Sequence, residues 1–263
     1  MFAISAFLGR DLINSALNSL GTNLSQKDNA KVKTSFAVIS DTHSDSSDTQ
    51  RALQQIKSLG LKFVIHSGDW TTVGTIDELK AQKAIFDRSG LTYWGVMGDH
   101  DRWQSGSANF EKVLGRPYES FDRDNLHFIL LDDSDLTNGL GEEQLDWLSL
   151  DLKKNPDRDK IIVMHLPPYH PSSDRTLAGK GGTNNSGLQE QTDQLLNMIK
   201  DQKVLAIFSG DHHLSQSYTE PKTSVKIFIS GAATSERNLQ TPRWELVQVL
   251  QDQTVRVTDQ VIN

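Results

Sequence analysis

From Thr34 onward the chain alternates two kinds of hydrophobic pattern. Short apolar runs rich in β-branched and aromatic residues occupy 35–40, 63–66, 92–96, 126–131, 161–164 and 204–208. Longer stretches at 49–59, 75–89, 142–154 and 188–202 repeat their apolar residues every three or four positions. The first pattern predicts strands and the second amphipathic helices, and their succession reads as an α/β domain. Three more strand-like runs, 225–230, 244–250 and 254–257, follow with turns but no helix between them. No internal repeat or low-complexity tract interrupts the pattern.

The first 33 residues read differently. An apolar start over residues 1–8 leads into Leu12, Ile13, Ala16, Leu17 and Leu20 at helical spacing, and Gly21-Thr22-Asn23 ends that pattern before a polar linker over 25–33. A secretory signal carries its positive charge ahead of the apolar core, whereas Arg10 follows it here. A docking helix, a remnant of an export or anchoring segment and plain disorder all remain open. The expected organisation is an N-terminal helical and linker segment, 1–33, and one domain, 34–263. A cytoplasmic location is favoured, with export if residues 1–33 are processed.

Composition narrows the chemistry. The 263 residues carry a formal charge of -7, 36% hydrophobic and 23% charged residues and no cysteine. That is enough chain to bury a sizeable core without cross-links. The absence of cysteine excludes disulfide scaffolds, thiol nucleophiles and thiolate zinc sites. An acidic balance, with a pI near 5.6, gives no general attraction to nucleic acid. No run approaches the ~20 apolar residues of a membrane-spanning helix. The oligomeric state is not written in the sequence. Chemistry therefore falls to His, Asp, Glu, hydroxyls or metal.

Five expected strands run straight into short segments rich in Asp and His. These are Asp41-Thr42-His43, Gly68-Asp69, Gly98-Asp99-His100-Asp101, His165 and Gly210-Asp211-His212-His213. Ligands of α/β folds gather beyond the carboxyl ends of strands, so residues distant in sequence can converge there. Asp-x-His beyond a strand end is expected to put both side chains on one side of an extended backbone. Glycine before Asp69, Asp99 and Asp211 permits tight turns and close backbone approach. Any one segment reads as an ordinary loop; the ordered set does not.

This order resembles the calcineurin-like metallophosphoesterases, whose pattern is Asp-x-His, Gly-Asp, Gly-Asn-His-Asp/Glu, a lone His after a strand, and Gly-His-x-His. The resemblance covers about residues 36–233 and is nearest to the branch holding cyclic-nucleotide phosphodiesterases and purple acid phosphatases. It implies a four-layer sandwich of two mixed β-sheets flanked by helices. It also implies hydrolysis of a phosphodiester or phosphomonoester by hydroxide generated at a two-metal site. Carried over, Asp41, His43 and His213 hold the first ion, Asp69 bridges, and His165, Asp99 and Asp211 hold the second. His100 becomes the proton donor to the leaving oxygen, with Asp101 as its orienting neighbour. The substrate is a small phosphate ester, with a nucleotide among the candidates.

Two positions depart from the family pattern. Asp99 stands where Asn is usual and Asp211 where His is usual, and both fall on the second ion. Four carboxylates against two divalent cations leave no net positive charge to attract a phosphate. Oxygen ligands favour hard cations, so Mn, Mg or Ca is expected in the second position, with Fe or Mn, or else Zn, in the first. The substitutions are also reminiscent of alkaline phosphatase D, although Asp41-Thr42-His43 does not match that subgroup's first motif. The competing reading is a binding or interaction module whose altered second site has lost catalysis.

Other residues carry less. His66 and His127 lie in apolar runs and read as core or supporting residues. Trp70 and Trp103 adjoin site segments; Trp103, His170, Lys180 and His212 are candidate substrate contacts. His212, between two expected ligands, is expected to point away from them. Residues 177–187, rich in glycine, are a candidate substrate lid but lack the Gly-x4-Gly-Lys-Ser/Thr arrangement of a P-loop.

Overall fold

A computed structural model describes residues 32–179 and 185–263. The helix expected near residues 10–20, most of the polar linker, and Lys180 of the expected lid lie outside these residues. In chain order the elements are β1 (Val32–Ile39), α1 (Ser46–Ser58), β2 (Phe63–His66), α2 (Ile76–Ser89), β3 (Thr92–Gly95), α3 (Asp99–Arg102) and α4 (Ala108–Val113). They continue with β4 (Glu119–Arg123), β5 (Leu126–Leu130), α5 (Gly141–Lys154), β6 (Asp159–Val163), α6 (Ser186–Ile199), β7 (Val204–Ser209), β8 (Gln216–Thr219), β9 (Lys226–Ile229), β10 (Arg243–Leu250) and β11 (Val255–Val261).

The strands form two mixed sheets, ordered β11-β10-β1-β2-β3 and β4-β5-β6-β7-β9-β8. Strands β1, β2 and β3 are parallel, as are β5, β6, β7 and β9, while β10, β11, β4 and β8 pair antiparallel with their neighbours and β3 is a parallel edge. Alternation along each strand builds the layers. Phe36 and Val38 of β1 meet Phe128, Val163 and Phe208 in a core between the sheets. Ala37 and Ile39 face the other way, onto Ala52, Leu53 and Ile56 of α1 and Phe86 of α2. On the far side Ile129, Ile162 and Ile207 pack against Leu148 of α5 and Leu195 of α6. With both faces of each sheet covered, the central strands are apolar throughout, and the implied four-layer sandwich is what the chain forms.

The expected helices are present, and their starts are chemically marked. Asp45 caps α1 through its bonds from Ser47 and Asp48 amides, and Asn185 caps α6. Thr75 and Glu78 form a capping box at α2. The other Glu78 oxygen accepts from Ser44 Oγ at 3.1 Å and Thr72 N at 3.2 Å, so this cap also ties the helix to loops beyond β1 and β2. Elements absent from the sequence reading are the edge strands β4 and β8 and the short helices α3 and α4. Among the described residues no helix is long and apolar enough to cross a membrane.

Candidate metal centre

Beyond the ends of β1 and β2 the two loops stay zipped together, Asp41 N donating to Gly68 O at 3.0 Å and His43 N to Asp69 O at 3.1 Å. The second sheet joins them through Asp211 N, which donates to Asp41 Oδ1 at 3.2 Å, and through His165 Nδ1, which donates to Ser67 O at 2.9 Å. The extended backbone expected for Asp-x-His is not what converges these side chains. Asp41, His43, Asp69, Asp211 and His213 all have left-handed φ, between 42° and 64°. Each kink costs free energy, and such residues persist where the surrounding structure over-determines them, commonly at functional sites. Glycine does what was expected of it at Gly98, where a Cβ would collide with the Asp69 carboxylate.

Two groups of potential ligands result, Asp41, His43, Asp69 and His213 in one and Asp69, Asp99 and His165 in the other, with ligand atoms within 4.8 Å of one another in each. Asp69 belongs to both. His43 Nε2 and His213 Nε2 lie 3.1 Å apart, and His213 Nε2 is 3.4 Å from Asp41 Oδ1. His165 Nε2 is 3.4 Å from Asp69 Oδ1 and 3.3 Å from Asp99 Oδ1. Because carbonyls only accept, the Nδ1 atoms of His165 and His213 must donate, to Ser67 and Arg237 respectively, which leaves both Nε2 atoms aimed at the centre.

The polar atoms at this centre fit cations. Among the described residues Asp41 Oδ2 and His165 Nε2 are buried without a hydrogen-bond partner, which in a protein interior is costly unless something else is bound there. With protons as the only counter-charge, burial opposes charge on His213 but the Asp41 carboxylate outweighs it, pushing its pKa up to about 9. Burial likewise opposes charge on His165, yet Asp69, Asp99 and Asp41 raise its pKa well above the ordinary value. Burial lowers that of His43 despite Asp69 and Asp41. The cluster draws protons as it would draw metal, so cation binding must displace them.

His100 stands at the rim. Its Nδ1 donates to Thr72 O at 2.7 Å, and its ring lies 4.8 Å from that of His43 and 5.5 Å from that of Trp103. The orienting role expected of Asp101 thus falls to the Thr72 carbonyl. The Asp101 carboxylate is fully buried and accepts from Trp70 N, Thr71 N, Thr71 Oγ1 and Gly98 N, locking the second motif loop onto the third. Burial and the neighbouring Asp69 push its pKa up to about 7, against four donors that favour the anion.

The remaining candidates sort by contact. Trp70 is core, stacked on His66 and donating to Val96 O. His66 accepts from Gly68 N and meets Thr42 Oγ1; burial brings its pKa down to about 3, so it is a neutral support for the first two loops. Trp103 is 70% exposed. His212 Nε2 donates to Arg175 O at 2.7 Å, pointing away from the ligand groups, and His170 bonds Gln216 Oε1 at 3.2 Å with its ring 4.9 Å from that of His212. Both brace a loop rather than the centre. That loop carries Arg175, absent from the sequence reading, whose guanidinium grips Asp211 through two bonds, Nε to Oδ2 at 2.9 Å and Nη2 to Oδ1 at 2.7 Å. Asp133, also missed, is buried and accepts from His165 N and Leu166 N, setting the turn that presents His165.

The sequence profile of the family described as calcineurin-like phosphoesterase matches residues 34–215. The chain belongs to that family. Proteins similar to it include a probable glycerophosphodiester phosphodiesterase of Arcobacter nitrofigilis, 27% identical over 165 residues, taking in 57% of this chain and 56% of the relative. A 3',5'-cyclic-nucleotide phosphodiesterase of a Nostoc species is 29% identical over 167 residues, 55% of this chain and 61% of the relative. The matches thus span little more than half the length of these curated relatives. Among solved structures, a dimetal phosphatase from Danio rerio superposes with a TM-score of 0.66 at 15% identity, covering 88% of this chain and 100% of the other. A purple acid phosphatase from yellow lupin seeds gives 0.63 at 12% identity, covering 87% and 51%. At such identities these two neighbours attest the fold alone. The strands beyond the profile match, β8 to β11, belong to the same two sheets.

Proposed function

We propose that this calcineurin-like phosphoesterase hydrolyses small phosphate esters, diesters ahead of monoesters, with two cations held on either side of Asp69. The observation that carries the reading is the shared carboxylate: two ligand groups meet at Asp69, with His100 beside them. Asp41, His43 and His213 would complete the first position with mixed nitrogen and oxygen donors suited to Fe, Mn or Zn. Asp99 and His165 would complete the second, where oxygen donors favour Mn, Mg or Ca. Cations so placed supply Lewis acidity toward phosphoryl oxygens and lower the pKa of water.

The chain's own residues do the rest. With Nδ1–H committed to Thr72 O, His100 presents Nε2 to the ester; as imidazolium it carries a second proton there, which passes to the departing oxygen and leaves the neutral Nδ1–H ring. His100 borders two cavities. One, of about 360 Å³, is lined by Trp103, Arg102, Ser134, Asp135 and Leu136; the other, of about 290 Å³, is lined by Arg175, Arg237, His212, His213 and Leu239. Two cavities that meet at His100 suit a substrate with two substituents. The exposed indole of Trp103, in the first, offers a stacking face to a base or aryl group.

The test compares bis-para-nitrophenyl and para-nitrophenyl phosphate with added Mn, alongside elemental analysis. Two Mn per chain and faster diester turnover are expected. Two Mn with no turnover of either ester would favour the interaction module. Trp103→Ala should raise KM for a nucleotide diester about tenfold, the ~1–3 kcal/mol of a lost stacking face, and leave dimethyl phosphate unaffected. Equal effects on both would remove the stacking role.

A further inference from the structure

The Asp211–Arg175 pair gives the departure at the fifth motif a specific meaning. Both Asp211 oxygens are engaged by the Arg175 guanidinium, and Nη2 donates in addition to Asp211 O at 2.9 Å. Asp211 Oδ1 stays 4.0 Å from His165 Nε2, farther than the 3.3 Å and 3.4 Å of the Asp99 and Asp69 oxygens, and it lies outside both ligand groups. The pair is held from two sides, His212 bonding the Arg175 carbonyl and Asp211 N bonding Asp41. The acid is buried, its side chain 1% exposed, while that of the arginine is 44% exposed and lines the cavity shared by Asp69, His100 and His213. Arg175 Nη1, with two N–H donors, has no hydrogen-bond partner among the described residues.

A buried ion pair is weak evidence of stabilisation, since desolvation offsets much of its attraction. Here it fixes a cation with spare donors beside the reacting centre. Guanidinium matches phosphoryl oxygens in charge and in the geometry of its donors. It also repairs the charge balance: four carboxylates neutralise two divalent cations, and Arg175 restores one positive charge, matched to the single negative charge of a diester. We propose that Arg175 binds the substrate's phosphoryl group and that Asp211 is its anchor, not a ligand of the second cation. This deepens the phosphoesterase reading and rests on it.

The experiment uses the full chain loaded with Mn, with Arg175→Ala, Arg175→Lys, Asp211→Asn and the Arg175→Ala/Asp211→Asn double variant. Bound Mn is counted by elemental analysis, affinity for inorganic phosphate is read by calorimetry, and kcat and KM are read on bis-para-nitrophenyl phosphate. Arg175→Ala should keep two Mn, weaken phosphate binding about tenfold or more and raise KM more than it lowers kcat. Arg175→Lys, which keeps the charge without the fork, should fall between parent and Ala. Asp211→Asn should keep both Mn and raise KM, but add nothing in the Arg175→Ala background. Unchanged phosphate affinity in Arg175→Ala, or loss of one Mn in Asp211→Asn, would overturn the assignment, as would a loaded parent that binds no phosphate. A loaded parent that binds phosphate yet turns over no ester would sink the hydrolytic reading alone, since the phosphate comparison still decides Arg175.

Discussion

Two clusters in this molecule are made of the same materials, histidine and aspartate, and are arranged in opposite ways. On the second sheet His127 lies between two carboxylates, Nδ1 at 2.8 Å from Asp122 and Nε2 at 2.7 Å from Asp151. Each ring nitrogen has an acceptor, and the cluster is closed. At the candidate metal centre His43 Nε2 faces His213 Nε2, and Asp41 Oδ2 and His165 Nε2 have no hydrogen-bond partner among the described residues. The backbone differs as well. His127 sits in regular strand β5, whereas Asp41, His43, Asp69, Asp211 and His213 are held at left-handed φ. Side chains that satisfy one another stabilise a fold; side chains that converge on a common point, at a cost in strain and repulsion, are arranged for a ligand.

The sharpest way to break this contrast is Asp69→Asn. It removes the one carboxylate shared by both ligand groups but keeps an acceptor for His100 N, which bonds Asp69 Oδ1 at 3.0 Å, and asparagine tolerates the φ of 57°. Turnover should fall roughly 10⁴-fold or more, with bound Mn dropping below two. The metal-free variant should melt no lower than the parent, because a charge has been taken out of a crowded acidic cluster. A metal-free variant that melts well below the parent would mean the centre is a stabilising network after all.

Next in size is His100→Gln. With a leaving group that needs a proton, such as an alkoxide, the rate should fall about a hundred- to a thousandfold. With para-nitrophenolate, which departs without one, the loss should be much smaller, and Mn content should be unchanged in both cases. Equal losses on both leaving groups would assign His100 to positioning instead of proton transfer.

The two clusters also differ in how far the sequence exposes them. Asp41, His43, Asp69, Asp99, His165 and His213 are legible because each follows an apolar run at the position where parallel strands deliver their loops. Asp211 is legible as a position, but its ion-pair partner Arg175 is not, since it lies in an unpatterned loop 36 residues away. Counting acids reveals the missing positive charge without saying where it comes from. Trp103 and Trp70 look equivalent in sequence, each beside a motif, yet one is exposed and the other is core. Edge strands β4 and β8, half-buried to exposed along their length in place of an apolar run, lack the signal that marks the central strands, namely burial on both faces. His127 in its apolar run is read rightly as a supporting residue, but its two acids come from β4 and α5 and are invisible until the fold pairs them.

The mildest test is also the one whose sign depends on pH. Both nitrogens of His127 meet carboxylates, so the ring is held as imidazolium: burial opposes that charge, but the bonds to Asp151 and Asp122 outweigh it and raise the pKa above 6.5. A folded-state pKa above the unfolded one means that the folded protein binds this proton more tightly. The stability so gained is complete below about pH 6.5 and is lost as pH climbs through the raised value. His127→Gln should therefore lower unfolding free energy by about 1–3 kcal/mol at pH 6, nearer the lower end because Asp122 is 47% exposed and screened. The gap between parent and variant should narrow on the alkaline side, while Mn content and turnover of the folded protein stay as they were. A gap that widened with pH would show the ring to be neutral, and a loss of Mn would show that the closed cluster and the open one are a single network.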